Sequence, residues 1–148
     1  MADNLTSEQR SYCMSRIRSK NTRPELIVRS LVRQAGYRYK LHKKDLPGNP
    51  DIVFVGLRKA IFVHGCFWHM HDCRFGRVYP KSNSAYWSTK RRQIVDRSAM
   101  ATWELERQGW SSLIVWECEL KDADRVKRSI ELFLTGQPPA QQSSANAL

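Results

Sequence analysis

Residues 50–65 read PDIVFVGLRKAIFVHG. Two runs rich in β-branched and aromatic residues, DIVFV at 51–55 and KAIFVHG at 59–65, stand a turn apart, which is the pattern of short strands. Upstream, YRYKLH (37–42) offers a further strand, and LPGNP (46–50) supplies the turn between them. The stretch implies a small sheet.

The flanks supply the helices. In NTRPELIVRSLVRQAG (21–36), Thr22 and Glu25 have capping-box spacing, Pro24 falls in the first turn and Gly36 can close the end. Leu26, Ile27, Leu31 and Ala35 lie along one side and are the expected buried stripe. From about Ser84 to Gln108, Trp87, Ile94, Ser98, Ala101 and Leu105 recur at helical spacing, with Gly109 as a stop. SSLIVWEC (111–118) then reads as a buried strand, and 122–134 as a last helix with Val126, Ile130 and Leu134 aligned. This order predicts an α/β fold, one mixed sheet with helices packed around it. Residues 1–20 form an expected basic arm or helix, because Arg10, Arg16, Arg18 and Lys20 are too many charges for full burial. Residues 21–136 form the expected folded domain, and 137–148, with little to bury, a disordered tail.

Lys and Arg number 25 against 14 Asp and Glu, a net charge of +11, which favours a polyanionic partner such as nucleic acid. No run approaches the length of a membrane span or a secretory apolar region, so the expected location is cytoplasmic and no membrane partner is expected. Reducing conditions there favour metal ligation or burial for Cys13, Cys66, Cys73 and Cys118 over disulfides.

Just after the second β-like run comes HGCFWHMHDC (64–73). Structural zinc takes four N or S ligands in a tetrahedron, and Cys66, His71 and Cys73 meet the local half of that requirement. Cys118, after the strand LIVWE, can deliver the fourth sulfur or be a buried thiol; Cys13 has no nearby partners and reads as the latter. His64 and His69 are then left over, for either a structural or a catalytic role. Asp51, at the start of a strand, either holds a hard cation such as Mg²⁺ beside a phosphate or ends a Pro-Gly turn.

On MSRIRSKNTRPE (14–25), LPGNPDIVF (46–54), AIFVHGCFWHMHDC (60–73) and GWSSLIVWECEL (109–120), the chain resembles the very-short-patch repair (Vsr) DNA mismatch endonucleases. The resemblance implies a restriction-endonuclease-like fold, a mixed central sheet flanked by helices. It implies an enzyme that nicks double-stranded DNA 5′ of the thymine in a T·G mismatch, the product of 5-methylcytosine deamination. It further implies that Asp51 and the backbone carbonyl of Val63 hold Mg²⁺, that His64 and His69 are catalytic, and that Cys66, His71, Cys73 and Cys118 hold structural Zn²⁺. Glu25 is either a helix-capping residue or an acid near the water shell of the magnesium. Phe67 and Trp68, projecting from a zinc-pinned loop, would form a wedge with Trp87 and Met14, since unstacking is least costly at a mismatch. Arg16, Arg18, Lys20, Arg23, Lys90, Arg91 and Arg92 are candidate phosphate contacts or merely solvated charges. The family implies a monomer and contact with mismatch-repair factors.

One stretch departs from the family. Its pattern K-I-x-x-N-x-x-R-D is KRRQIVDRS (90–98) here, with Arg91, Ile94 and Ser98 replacing Ile, Asn and Asp. Asp96 does not stand in for the lost acid, because two helical residues turn its side chain by roughly 200°. A mismatch-binding protein with weakened cleavage therefore stays open as an alternative, as does a nuclease of the same fold acting in DNA defence without mismatch preference.

Overall fold

The computed structural model describes residues 4–10 and 21–136. Its first complete helix, α1 (Arg23–Gln34), begins as the sequence predicts. Thr22 Oγ1 accepts from the Glu25 amide at 3.4 Å, while the Glu25 carboxylate accepts from the Asn21 amide at 2.7 Å. Gly36, at φ +88°, takes the left-handed conformation that closes the helix. The buried face keeps Leu31 and, in part, Ile27 of the expected stripe but departs from it at Leu26. Val28, Leu31 and Val32 point inward together with Glu25 and Arg29, whereas Leu26 is 47% exposed. An acid and an arginine one turn apart neutralise each other and so can turn inward together, which a reading of apolar positions alone overlooks.

The sheet has four strands in the order β1 (Lys40–Leu41), β2 (Ile52–Phe54), β3 (Lys59–His64) and β4 (Ser111–Trp116). The first two pairings are antiparallel, and β3 and β4 run parallel from Lys59↔Ser111 to His64↔Trp116. A parallel pair needs a long crossover, here built around α2 (Ser84–Arg107). The expected strand at 37–42 shrinks to Lys40 and Leu41, because His42, at φ +49°, turns out of extended backbone. DIVFV likewise stops at Phe54, where Val55–Leu57 form a 3₁₀ turn ended by Arg58 at φ +53°.

Side-chain alternation sorts the strands between two cores. Ile52, Phe54, Ile61, Leu113 and Val115 pack against α1 and against α3 (Ala123–Leu134), the latter through Val126, Ile130, Phe133 and Leu134. Val53, Ala60 and Phe62 face the other way, onto Leu46, Trp110 and Leu105 of α2. The result is a mixed α/β fold with helices on both faces of the sheet. By the same alternation His64 and Trp116 share the α2 face, at the end where β3 and β4 finish together. Among the described residues no helix is long and apolar enough to cross a membrane.

Candidate active site and metal centre

Parallel register brings the candidate metal ligands together. His64 pairs with Trp116, so Cys66 and Cys118, each two residues further on, leave the same end of the sheet side by side. Cys118 lies in a 3₁₀ turn (Glu117–Lys121) rather than on the strand itself. The loop after β3 brings His71 and Cys73 to them, and the four donor atoms lie within 4.8 Å of one another. The Cys118 amide donates to Cys66 Sγ and the Gly76 amide to Cys73 Sγ, both at 3.4 Å. His71 stacks on Trp116, ring centroids 4.0 Å apart, with its Nδ1 3.6 Å from Cys118 Sγ. Burial pushes the Cys66 thiol up to about 12, so its thiolate requires a neighbouring cation. Three sulfurs and one imidazole nitrogen suit a tetrahedral, borderline-soft metal. Gly76 permits the loop to close: a Cβ there would meet the His71 carbonyl oxygen at 1.8 Å.

Beside this centre a cavity of about 440 Å³ is lined by Asp51, Val63, His64, His69 and Ser98 among others. Asp51 Oδ2 accepts from the Val63 amide at 2.7 Å. Since β2 begins at Ile52, opposite Ile61, Val63 lies past the last pair on that edge and its carbonyl is not used by the ladder there. Burial, followed by the neighbouring Glu25, raises the Asp51 carboxyl to about 7, against the opposing pull of the Val63 amide. Such a carboxylate favours a cation beside it. The imidazoles of His64 and His69 stack face to face, 3.6 Å between centroids and 5° between planes. Burial lowers His69 to about 4 and, aided by the charge of His69, lowers His64 to about 3. Both rings are therefore neutral near pH 7, and their burial opposes protonation. His69 Nδ1 lies 3.0 Å from the Ser98 hydroxyl, while the buried His64 Nδ1 has no partner among the described residues.

Glu25 is placed at the helix start and beside the cavity at once. It completes the start of α1 and also reaches the cavity wall, where its carboxylate, His42 Nε2 and an Asp51 oxygen lie within 4.8 Å of one another. Arg29 Nη2 ion-pairs with Glu25 and approaches His42 Nε2 at 3.2 Å. His42 and Arg29 were not singled out by sequence. The i,i+4 spacing of Glu25 and Arg29 is a signal that exists for the second, but a lone histidine at the end of a strand carries none.

On the metal loop, Phe67 and Trp68 are half-buried and meet edge-on at 5.2 Å, and each ring also meets Trp87 at 5.7 Å. Trp87 itself is only 9% exposed, so in the free protein it backs the other two rings instead of projecting with them. Arg91 is 1% exposed, which removes it from the candidate phosphate contacts. Its guanidinium is occupied by the carbonyls of Phe67, Gly76 and Val78. Lys90 is half-buried and Arg23 and Arg92 are exposed. Cys13, Met14, Arg16, Arg18 and Lys20 lie outside the described residues.

The family model for the DNA mismatch endonuclease Vsr matches residues 2–75. The type II nicking enzyme V.XorIIP of Xanthomonas oryzae is 52% identical over 134 residues, covering 90% of this chain and 98% of its own. The type II nicking enzyme V.NmeAIP of Neisseria meningitidis is 41% identical over 82% of this chain and 86% of its own. The DNA mismatch endonuclease Vsr of Escherichia coli is 36% identical over 85% and 80%. The chain belongs to the Vsr family. It is a DNA endonuclease.

Within the Vsr frame, the fold gathers Asp51, Val63, His64 and His69 at one cavity and the Cys-His quartet next to it. The departure at position 98 acquires a physical description. Ser98, where the Vsr pattern has an acid, still contacts His69, through a neutral hydroxyl. Asp96 is exposed and contributes to another depression, as the helical rotation requires.

Proposed function

We propose that this Vsr-family endonuclease nicks one strand of duplex DNA on the 5′ side of the thymine in a T·G mismatch, in a Mg²⁺-dependent hydrolysis. The observation that carries the reading is the adjacency of a carboxylate–histidine cavity to a metal-braced loop bearing Phe67 and Trp68. The four-stranded mixed sheet with helices on both faces agrees with a restriction-endonuclease-like architecture. Residues 21–136 form the catalytic unit and act as a monomer on DNA in the cytoplasm.

The donor set of Cys66, His71, Cys73 and Cys118 fits structural Zn²⁺. Asp51 and the Val63 carbonyl fit Mg²⁺, with Glu25 behind them. When bound there, magnesium supplies charge stabilisation to the scissile phosphate. The neutral imidazoles of His64 and His69 hold or move protons of the attacking water and the leaving oxygen. Ser98 fixes the rotation of the His69 ring through Nδ1, and the His64 ring is held face to face against it. Phe67 and Trp68, supported by Trp87, enter the stack where a mismatch has weakened it. Met14, Arg16, Arg18, Lys20 and Lys90 contribute contacts to the duplex.

Incubating the protein with T·G and matched duplexes in Mg²⁺ tests the reading. A single nick 5′ of the mismatched thymine is expected, and Asp51→Ala abolishes it. Equal cutting of both duplexes, or cutting that survives Asp51→Ala, contradicts it. The second reading, a mismatch-binding protein with weakened cleavage, is favoured by the neutral Ser98 hydroxyl that meets His69 in place of an acid, and binding of the T·G duplex without a nick in the same assay would select it.

A further inference from the structure

Arg91 is among the most deeply buried side chains of the protein, and its bonding is specific. Nε donates to the Phe67 carbonyl at 2.7 Å, Nη1 to Val78 at 2.7 Å and Nη2 to Gly76 at 2.6 Å. Phe67 precedes the ligands His71 and Cys73 in the loop, whereas Gly76 and Val78 follow them. One guanidinium thus ties the outgoing and returning arms of the loop together, one residue after the ligand Cys66 and three and five residues after the ligand Cys73. Its Cζ also lies 4.3 Å from the centre of the Phe67 ring, and Phe67 is the ring that touches both Trp68 and Trp87. Charge-assisted bonds of this kind are strong, and a neutral replacement takes the donor from three carbonyls, that of Gly76 buried and those of Phe67 and Val78 partly so. Ser98, which contacts His69, stands seven residues further along α2, about two turns on and on the same side.

We infer that Arg91 is a positioning residue for mismatch recognition: from α2 it clamps the aromatic loop through bonds separate from those of the metal ligands and so sets mismatch selectivity without touching DNA. The inference rests on the mismatch reading above for its consequence, but not for its structural half. Zinc fixes the loop at its ligands, and Arg91 fixes the backbone that carries Phe67 and Trp68. Because α2 also bears Ser98, one rigid element sets both the rings that enter the duplex and the orientation of a histidine in the cavity. Phosphate binding, by contrast, does not involve this buried cation.

The test uses zinc-loaded full-length protein as wild type, Arg91→Met and Arg91→Lys. Hydrogen exchange of the 67–79 amides is followed with β3 as internal reference, zinc is counted, and affinities for T·G and matched duplexes are measured without divalent cation. For Arg91→Met, loop exchange accelerates and T·G preference falls, each by about tenfold, while matched-duplex affinity stays within roughly twofold. Zinc stays bound. Arg91→Lys, which keeps the charge but lacks the planar fork, falls between the two proteins. Unchanged loop exchange overturns the inference, and so does a loss of zinc or an equal loss of affinity for both duplexes. If wild type shows no T·G preference, the mismatch reading fails, while loop exchange still decides whether Arg91 is the clamp.

Discussion

Ser98 carries the sharpest residue-scale consequence, because its hydroxyl stands where the Vsr pattern has a carboxylate. A neutral hydroxyl orients a neutral imidazole but provides little stabilisation for a protonated one, whereas an acid provides both. Ser98→Ala should lower the single-turnover nicking rate about tenfold, the worth of one ordinary hydrogen bond, with zinc content unchanged. Ser98→Asp should raise the rate above wild type. A flat response to both changes would make position 98 peripheral. Sequence showed that the acid was missing but not that the serine reaches His69, because a contact across 29 residues is created by the fold. Asp51, His64 and His69 stood out by residue type alone, with roles that only the family resemblance supplied; that β2 and β3 set Asp51 beside Val63 and that the loop after β3 lays His69 on His64 is again the work of the fold.

At the scale of elements, α1 and the metal loop illustrate two kinds of departure from pattern. The reading of α1 by apolar positions chose Leu26 and overlooked that Glu25 and Arg29 turn inward as a pair. Glu25→Gln removes the negative partner of an arginine that stays buried, so stability should fall by about 3–5 kcal/mol. Leu26→Ala, at an exposed position, should cost no more than about 0.5 kcal/mol beyond helix propensity. Urea unfolding in the presence of zinc measures both, and similar losses would mean the expected stripe was correct after all. In the metal loop the ligands were legible from residue type, while the turn that joins them depends on Gly76, whose missing Cβ leaves room for the His71 carbonyl. Gly76→Ala should therefore reduce zinc below one per chain and lower Tm by on the order of 10 °C, as should prolonged chelation of wild type. Full zinc content in Gly76→Ala would show that the loop has another way to close.

For the molecule as a whole, two attractions to DNA are separable in principle. The net charge of +11 draws phosphates and releases counterions, a term blind to base pairing. The rings of Phe67 and Trp68 carry no charge, and in the wedge role proposed for them their gain would depend on how readily a base step opens. Salt should therefore weaken binding to every duplex, by about 10³-fold or more between 50 and 200 mM if six or more phosphates are engaged. The ratio of T·G to matched affinity should hardly move over that range, because its source is unstacking. Titrations of both duplexes at several salt concentrations, without divalent cation, give two plots of log affinity against log salt. Parallel lines separated by a constant offset are expected. Lines that converge as salt rises would place the mismatch preference in the basic residues, since only an ionic source of selectivity fades with screening.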